Sequence, residues 1–132
     1  MAGNPSIAVV VVEDNEVFRE ALEILFGLTP DLNVVAALPD GLAALQVCPE
    51  LHPDVILVDY RLPGLDGVET TRALREACPS AAIVVLTAAA DPPELAALEA
   101  AGAGACLTKD QEMDEIVAAV RAAAHGTGGL DG

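Results

Sequence analysis

The sequence is poor in aromatic rings and in positive charge. Trp is absent, and Phe18, Phe26 and Tyr60 are the three aromatic residues, so any core must be aliphatic and its helices closely packed. Six basic side chains face 21 acidic ones, for a formal net charge of −15. Binding to nucleic acid or to an anionic membrane leaflet needs clustered Lys and Arg, so this segment is expected to bind neither by itself. The longest apolar runs, Ile7–Val12 and Ala81–Leu86, fall far short of the ~20 residues of a membrane-spanning helix. Met1–Ser6 carries no basic side chain and so lacks the charged start of a secretory signal. The cysteines, Cys48, Cys78 and Cys106, are odd in number and widely spaced, with no C-x-x-C pair. That pattern favours buried or idle thiols in a reducing compartment over disulfides or zinc, and a cytoplasmic location is expected.

What is present is a chain of 132 residues, 53% hydrophobic, with 25 alanines. The length suits one domain, and the apolar share argues against disorder despite the charge. Two kinds of apolar block alternate. Ile7–Val12, Asp54–Val58 and Ala81–Leu86 are short, continuous and rich in Val and Ile, as strands covered on both faces are. Asn33–Ala37 and Ala103–Thr108 are weaker strand candidates. Helical spacing runs through Glu16–Leu28, Gly41–Val47, Val68–Ala77, Glu94–Ala101 and Glu112–Ala124. In the first of these, Val17, Ala21, Ile24 and Leu28 form one apolar stripe; in the last, Ile116, Val120 and Ala123 do. Pro92 and Pro93 fit the first turn of a helix and Gly102 its end. Five β-α units with right-handed crossovers predict an α/β fold, one twisted parallel sheet with helices on both faces. The expected domain is 7–124, with loose ends at 1–6 and 125–132.

Each strong strand ends in a polar residue: Glu13 and Asp14 after the first, Asp59 after the third, Thr87 after the fourth, Lys109 after the fifth. In an open parallel sheet the ligand crevice lies beyond the carboxyl ends of the strands, so these four endings converge. One such residue is often only the N-cap of the next helix. All four together, with the single lysine of the chain among them, point to a site. Two carboxylates 4 Å apart repel by roughly 4 kcal/mol at an effective dielectric of 20, so unless one stays protonated a hard divalent cation must neutralise Glu13, Asp14 and Asp59. Mg2+ fits, because it takes oxygen ligands and keeps positions for phosphate oxygens. Lys109 and Thr87 offer an ammonium and a hydroxyl to an anion beside it. These are the parts of phosphoryl transfer. Asp59, alone at its strand end, is the carboxylate best placed to be the acceptor itself.

Glu13-Asp14, Asp59, Thr87 and Lys109, in that order and spacing, resemble the receiver domain of two-component response regulators. The likeness runs from about Ile7 to Ala124. Val58-Asp59-Tyr60-Arg61-Leu62-Pro63-Gly64-Leu65-Asp66-Gly67 is similar to the loop after the family's phosphorylated aspartate, and Gly102–Asp110 to its last strand. The resemblance implies the flavodoxin-like (βα)5 fold, strand order 2-1-3-4-5. It implies that Asp59 accepts a phosphoryl group from a phosphohistidine on a sensor histidine kinase. It also implies that Glu13, Asp14, Asp59 and the backbone carbonyl of Arg61 hold Mg2+, while Thr87 and Lys109 contact the phosphoryl group. Small Ala88 suits a neighbour of the phosphate, and Arg61 and Ala89 fall where the family tunes dephosphorylation. Activation in the family is a population shift on the face spanning Glu94–Ala124, read by an output domain or partner protein. Homodimerisation through that face or other helix surfaces is a further expectation.

Two departures stand out. Cys106 occupies the position of the family's aromatic switch residue, which would couple to Thr87, and lacks both ring and hydroxyl. Lys109 is followed by Asp110 where many receivers have proline; Lys-Asp is frequent in receivers attached to helix-turn-helix outputs. The leading expectation is a phosphorylatable signalling receiver, possessing the chemistry of an acceptor and not of an enzyme. The alternative is a receiver-fold interaction module with weak or phosphorylation-independent switching. A phosphatase of the haloacid-dehalogenase type wants a second aspartate two residues after the nucleophile, and position 61 is Arg. His52 and His125 lack metal-ligand spacing, no P-loop or dinucleotide fingerprint occurs, and Glu112, Asp114 and Glu115 read as a solvated first turn.

Overall fold

The computed structural model describes residues 6–60, 67–87 and 91–125. Ten elements alternate: β1 (Ile7–Val12), α1 (Glu16–Gly27), β2 (Leu32–Leu38), α2 (Gly41–Leu51), β3 (Val55–Asp59), α3 (Gly67–Ala77), β4 (Ala82–Thr87), α4 (Pro92–Ala101), β5 (Ala105–Thr108) and α5 (Met113–Ala124). The strands pair in parallel in the order β2-β1-β3-β4-β5, the expected topology. Because successive side chains point to opposite faces, the Val and Ile runs divide between two cores. Val9, Val11, Val55, Leu57, Val84 and Leu86 pack with Leu22 and Phe26 of α1 and Ile116 and Val120 of α5. Val10, Val12, Ile56, Val58, Ile83 and Val85 pack with Ala44 of α2, Leu74 of α3 and Leu98 of α4. Burial on both faces is why the central strands carry no polar alternation. Edge strand β2 is mostly half-buried, which accounts for its weaker signal.

The α1 stripe is a correction. Val17, Ile24 and Leu28 are 78%, 64% and 79% exposed, and the helix buries Leu22 and Phe26, flanked by Phe18 and Leu25. Both stripes have helical spacing. The second carries two rings and two leucines, buries more apolar area, and therefore faces the sheet. Helix α2 also runs past its expected end at Val47, through Pro49 to Leu51. Proline there forfeits one bond to the carbonyl four residues back. The loss falls in the last turn, where His52 adopts a left-handed conformation (φ 51°) and donates its N–H to the Cys48 carbonyl. Elsewhere the punctuation works as expected. Asn15 and Asp40 cap α1 and α2 through side-chain oxygens at 2.9 and 2.8 Å, and Pro92 and Pro93 open α4.

Candidate functional site

The carboxyl ends of β1, β3, β4 and β5 deliver the polar residues to one place. Glu13 extends β1 by one residue, its N–H bonded to the Leu38 carbonyl at 2.9 Å. Asp59 is the last residue of β3, and Thr87 the last of β4. The Lys109 N–H donates to the Thr87 carbonyl at 2.8 Å, which ties the lysine to the neighbouring strand. Glu13 and Asp59 are 1% and 3% exposed, Thr87 is buried, and Asp14 faces solvent. One carboxylate oxygen from each of Glu13, Asp14 and Asp59 lies within 4.8 Å of the others. Lys109 Nζ stands 3.1 Å from Glu13 Oε1 and 3.2 Å from Asp59 Oδ2.

Three carboxylates against one ammonium leave the cluster negative. Burial, with the Asp59 charge beside it, pushes the Glu13 carboxyl up to about 7, although the Asn15 N–H donates to Glu13 Oε2 at 3.0 Å and Lys109 also favours the anion. Burial pulls Lys109 down, but its bond to Glu13 and the Asp59 charge outweigh that and raise it. Glu13 Oε1, fully buried, accepts no hydrogen bond. A buried carboxylate oxygen in contact with an ammonium, left without a hydrogen bond among crowded carboxylates, fits a cradle for a hard cation.

The fold therefore brings together Glu13, Asp14, Asp59, Thr87 and Lys109. Arg61, Ala88 and Ala89 lie outside the described residues. Cys106 sits half-buried in β5 opposite Val85 and packs on the α2–α4 side of the sheet, its thiol raised by burial and by Glu99. Two aromatic residues add contacts that the sequence reading did not assign. The Phe18 ring lies under the lysine, with Nζ 5.1 Å from its centroid. The Tyr60 hydroxyl donates to Glu94 Oε2 at 3.2 Å, linking the residue after Asp59 to the first turn of α4. Their signal was present: two of only three aromatics stand beside the acidic strand ends.

The family model of the response regulator receiver domain matches residues 9–121. The chain belongs to this family. Among its relatives are the transcriptional regulatory protein DegU of Brevibacillus brevis, 32% identical over 91% of this chain and 51% of the relative, and the nitrate/nitrite response regulator NarP of Escherichia coli, 35% identical over 90% and 55%. The solved signal receiver domain of a putative response regulator NarL from Mycobacterium tuberculosis superposes with a TM-score of 0.88 at 35% identity, covering 93% of this chain and 99% of that one. The receiver spans about half the length of the curated relatives it matches. Among the described residues no helix of the receiver is long and apolar enough to cross a membrane.

Proposed function

We propose that this receiver accepts a phosphoryl group on Asp59 from the phosphohistidine of a sensor kinase. The observation that supports this most is a carboxylate 3% exposed at the end of β3, 3.2 Å from the chain's single lysine, with two further carboxylates converging on it. Glu13, Asp14 and Asp59, with the Arg61 backbone carbonyl, would hold Mg2+, which supplies the positive charge that neutralises them and the incoming phosphate oxygens. An Asp59 oxygen bonds to phosphorus as the phosphorus–nitrogen bond of phosphohistidine breaks, leaving histidine and an aspartyl phosphate. Lys109, already ion-paired to Asp59, transfers that pairing to a phosphoryl oxygen, and the Thr87 hydroxyl donates to another. The receiver is thus a phospho-acceptor that assists its own phosphorylation and dephosphorylation, and not an enzyme acting on a separate substrate. Because several of its relatives are transcriptional regulatory proteins, a DNA-binding output in the same cytoplasmic protein belongs to this reading, with homodimerisation as its means of control.

The test is intact mass after incubation with an acyl phosphate or phosphoramidate donor. A single adduct that requires Mg2+ and is lost in Asp59→Ala is expected; an adduct of equal yield in Asp59→Ala refutes the assignment. Cys106 favours a second reading, an interaction module with weak switching. Moving a receiver from 1:99 to 99:1 takes about 5.5 kcal/mol of differential stabilisation, and a thiol offers no phenol or ring to couple to Thr87. NMR shifts confined to the surroundings of Asp59 on phosphorylation would favour that module; large shifts across residues 94–124 would exclude it.

A further inference from the structure

At the amino ends of β3 and β4, far from the carboxylates in the fold, the last turns of α2 and α3 border a cavity of about 230 Å3. Cys48, Pro49, His52, Pro53, Cys78 and Pro79 line it. Thirty positions apart in sequence, the two cysteines meet here. Both are free thiols, Cys48 fully buried and Cys78 6% exposed. Both side chains line this one cavity and pack in the same apolar cluster, and burial raises both thiols, that of Cys48 with Cys78 as a further cause. A soft metal would need a third ligand, and among the described residues the one convergence of three ligands is Glu13, Asp14 and Asp59. Two free thiols lining one small cavity suit a different chemistry.

We propose that Cys48 and Cys78 form a redox pair that closes to an intramolecular disulfide when hydrogen peroxide enters this cavity. Cys78 is the attacking thiol, because it is the more exposed of the two, although burial raises its thiol as well. Its sulfur takes one oxygen from the peroxide as the oxygen–oxygen bond breaks; the other oxygen leaves as water with the thiol proton. The Cys48 sulfur then displaces that hydroxyl from Cys78, the sulfur–sulfur bond forms, and a second water carries off the Cys48 proton. Two thiols are oxidised and one peroxide is reduced to two waters. Cys48, pushed up to about 12 by burial and then by Cys78, is protonated at neutral pH and suits the second, resolving step. The bridge would close the chain from α2 to α3 around β3, fastening two helices on the α2–α4 side of the sheet. It does not depend on Asp59 accepting phosphate.

The experiment treats the full chain, reduced and then freed of reductant, with peroxide under native conditions, blocks remaining thiols, and maps the digest. The expected result is a loss of about 2 Da, one hydrogen from each sulfur, a cross-linked Cys48–Cys78 peptide, Cys106 still alkylatable, and full reversal by dithiothreitol. In Cys48→Ser the same treatment should leave Cys78 trapped as a sulfenic acid by dimedone. Three results overturn the proposal: no mass loss, a mixture of all three pairings as from an unfolded chain, or oxygen added at Cys78 without a bridge in the wild type. The wild-type map decides even if the variant does not fold.

Discussion

Glu13→Gln should stabilise the metal-free domain, although it removes a partner of Lys109. The Glu13 carboxyl titrates near 7 in the folded protein against 4.5 as its ordinary value, with burial first and Asp59 among the causes. A carboxyl raised by folding is stabilising only while protonated. Below the unfolded value it is neutral in both states, and the wild type and the isosteric glutamine should be equally stable. As pH rises from 4.5 to about 7 the unfolded chain ionises while the native one resists, and the wild type loses stability progressively. Above 7 the loss is complete. At about 1.4 kcal/mol per unit the shift gives an upper bound of about 3 kcal/mol, and solvent around exposed Asp14 and the partly exposed lysine brings the expected gain to about 1–3 kcal/mol. Urea unfolding of both proteins in a chelator at pH 3.5, 6 and 8 measures it. Equal stability at the lowest pH, and a gap that opens and then levels off, is expected. A glutamine variant less stable at pH 8, or a gap independent of pH, refutes the reasoning. Mg2+ should raise the wild-type midpoint more than that of the variant.

Three further substitutions probe the surroundings of the site. Gly67→Ala would press a Cβ onto the Tyr60 ring and place it 2.8 Å from the Tyr60 carbonyl oxygen; because backbone cannot yield as a side chain does, a loss of about 1–3 kcal/mol in urea unfolding is expected, and an unchanged midpoint would contradict the packing. Phe18→Leu keeps apolar bulk but removes the ring face under Lys109, and phosphorylation by a small donor should slow about two- to fivefold, the equivalent of an exposed cation–π contact; an unaltered rate with normal folding would remove Phe18 from the site. Tyr60→Phe deletes the bond to Glu94 and should cost about 0.5–1.5 kcal/mol, with amide shifts reaching the first turn of α4; shifts limited to Tyr60 and its sequence neighbours would show that the link carries nothing to that helix.

The central strands were legible because burial on both faces leaves the Val and Ile runs of β1, β3 and β4 unbroken. The site was legible for a related reason: a run of apolar residues that ends in Glu13, Asp59 or Lys109 marks its own strand end, and topology does the rest. The face of α1 was not legible. Val17, Ile24 and Leu28 repeat as regularly as Phe18, Leu22 and Leu25, and only the volume available under the sheet decides which stripe is buried. The end of α2 was obscured by Pro49, which reads as a stop yet costs a single bond where it stands. Phe18 and Lys109, Tyr60 and Glu94, and Cys48 and Cys78 at their shared cavity are 30 or more positions apart; the nearness of the two aromatics to the acidic strand ends marked them as candidates, but no local pattern encodes any of the three partners.

The central claim is that the phosphoryl group is carried by one residue, Asp59. Borohydride reduction of the phosphorylated receiver converts an acyl phosphate to the corresponding alcohol and marks the carboxylate that held it. After digestion, homoserine at position 59, and at no other acidic position, is the predicted result. Homoserine derived from Asp14, or a label distributed over several carboxylates, would contradict the account.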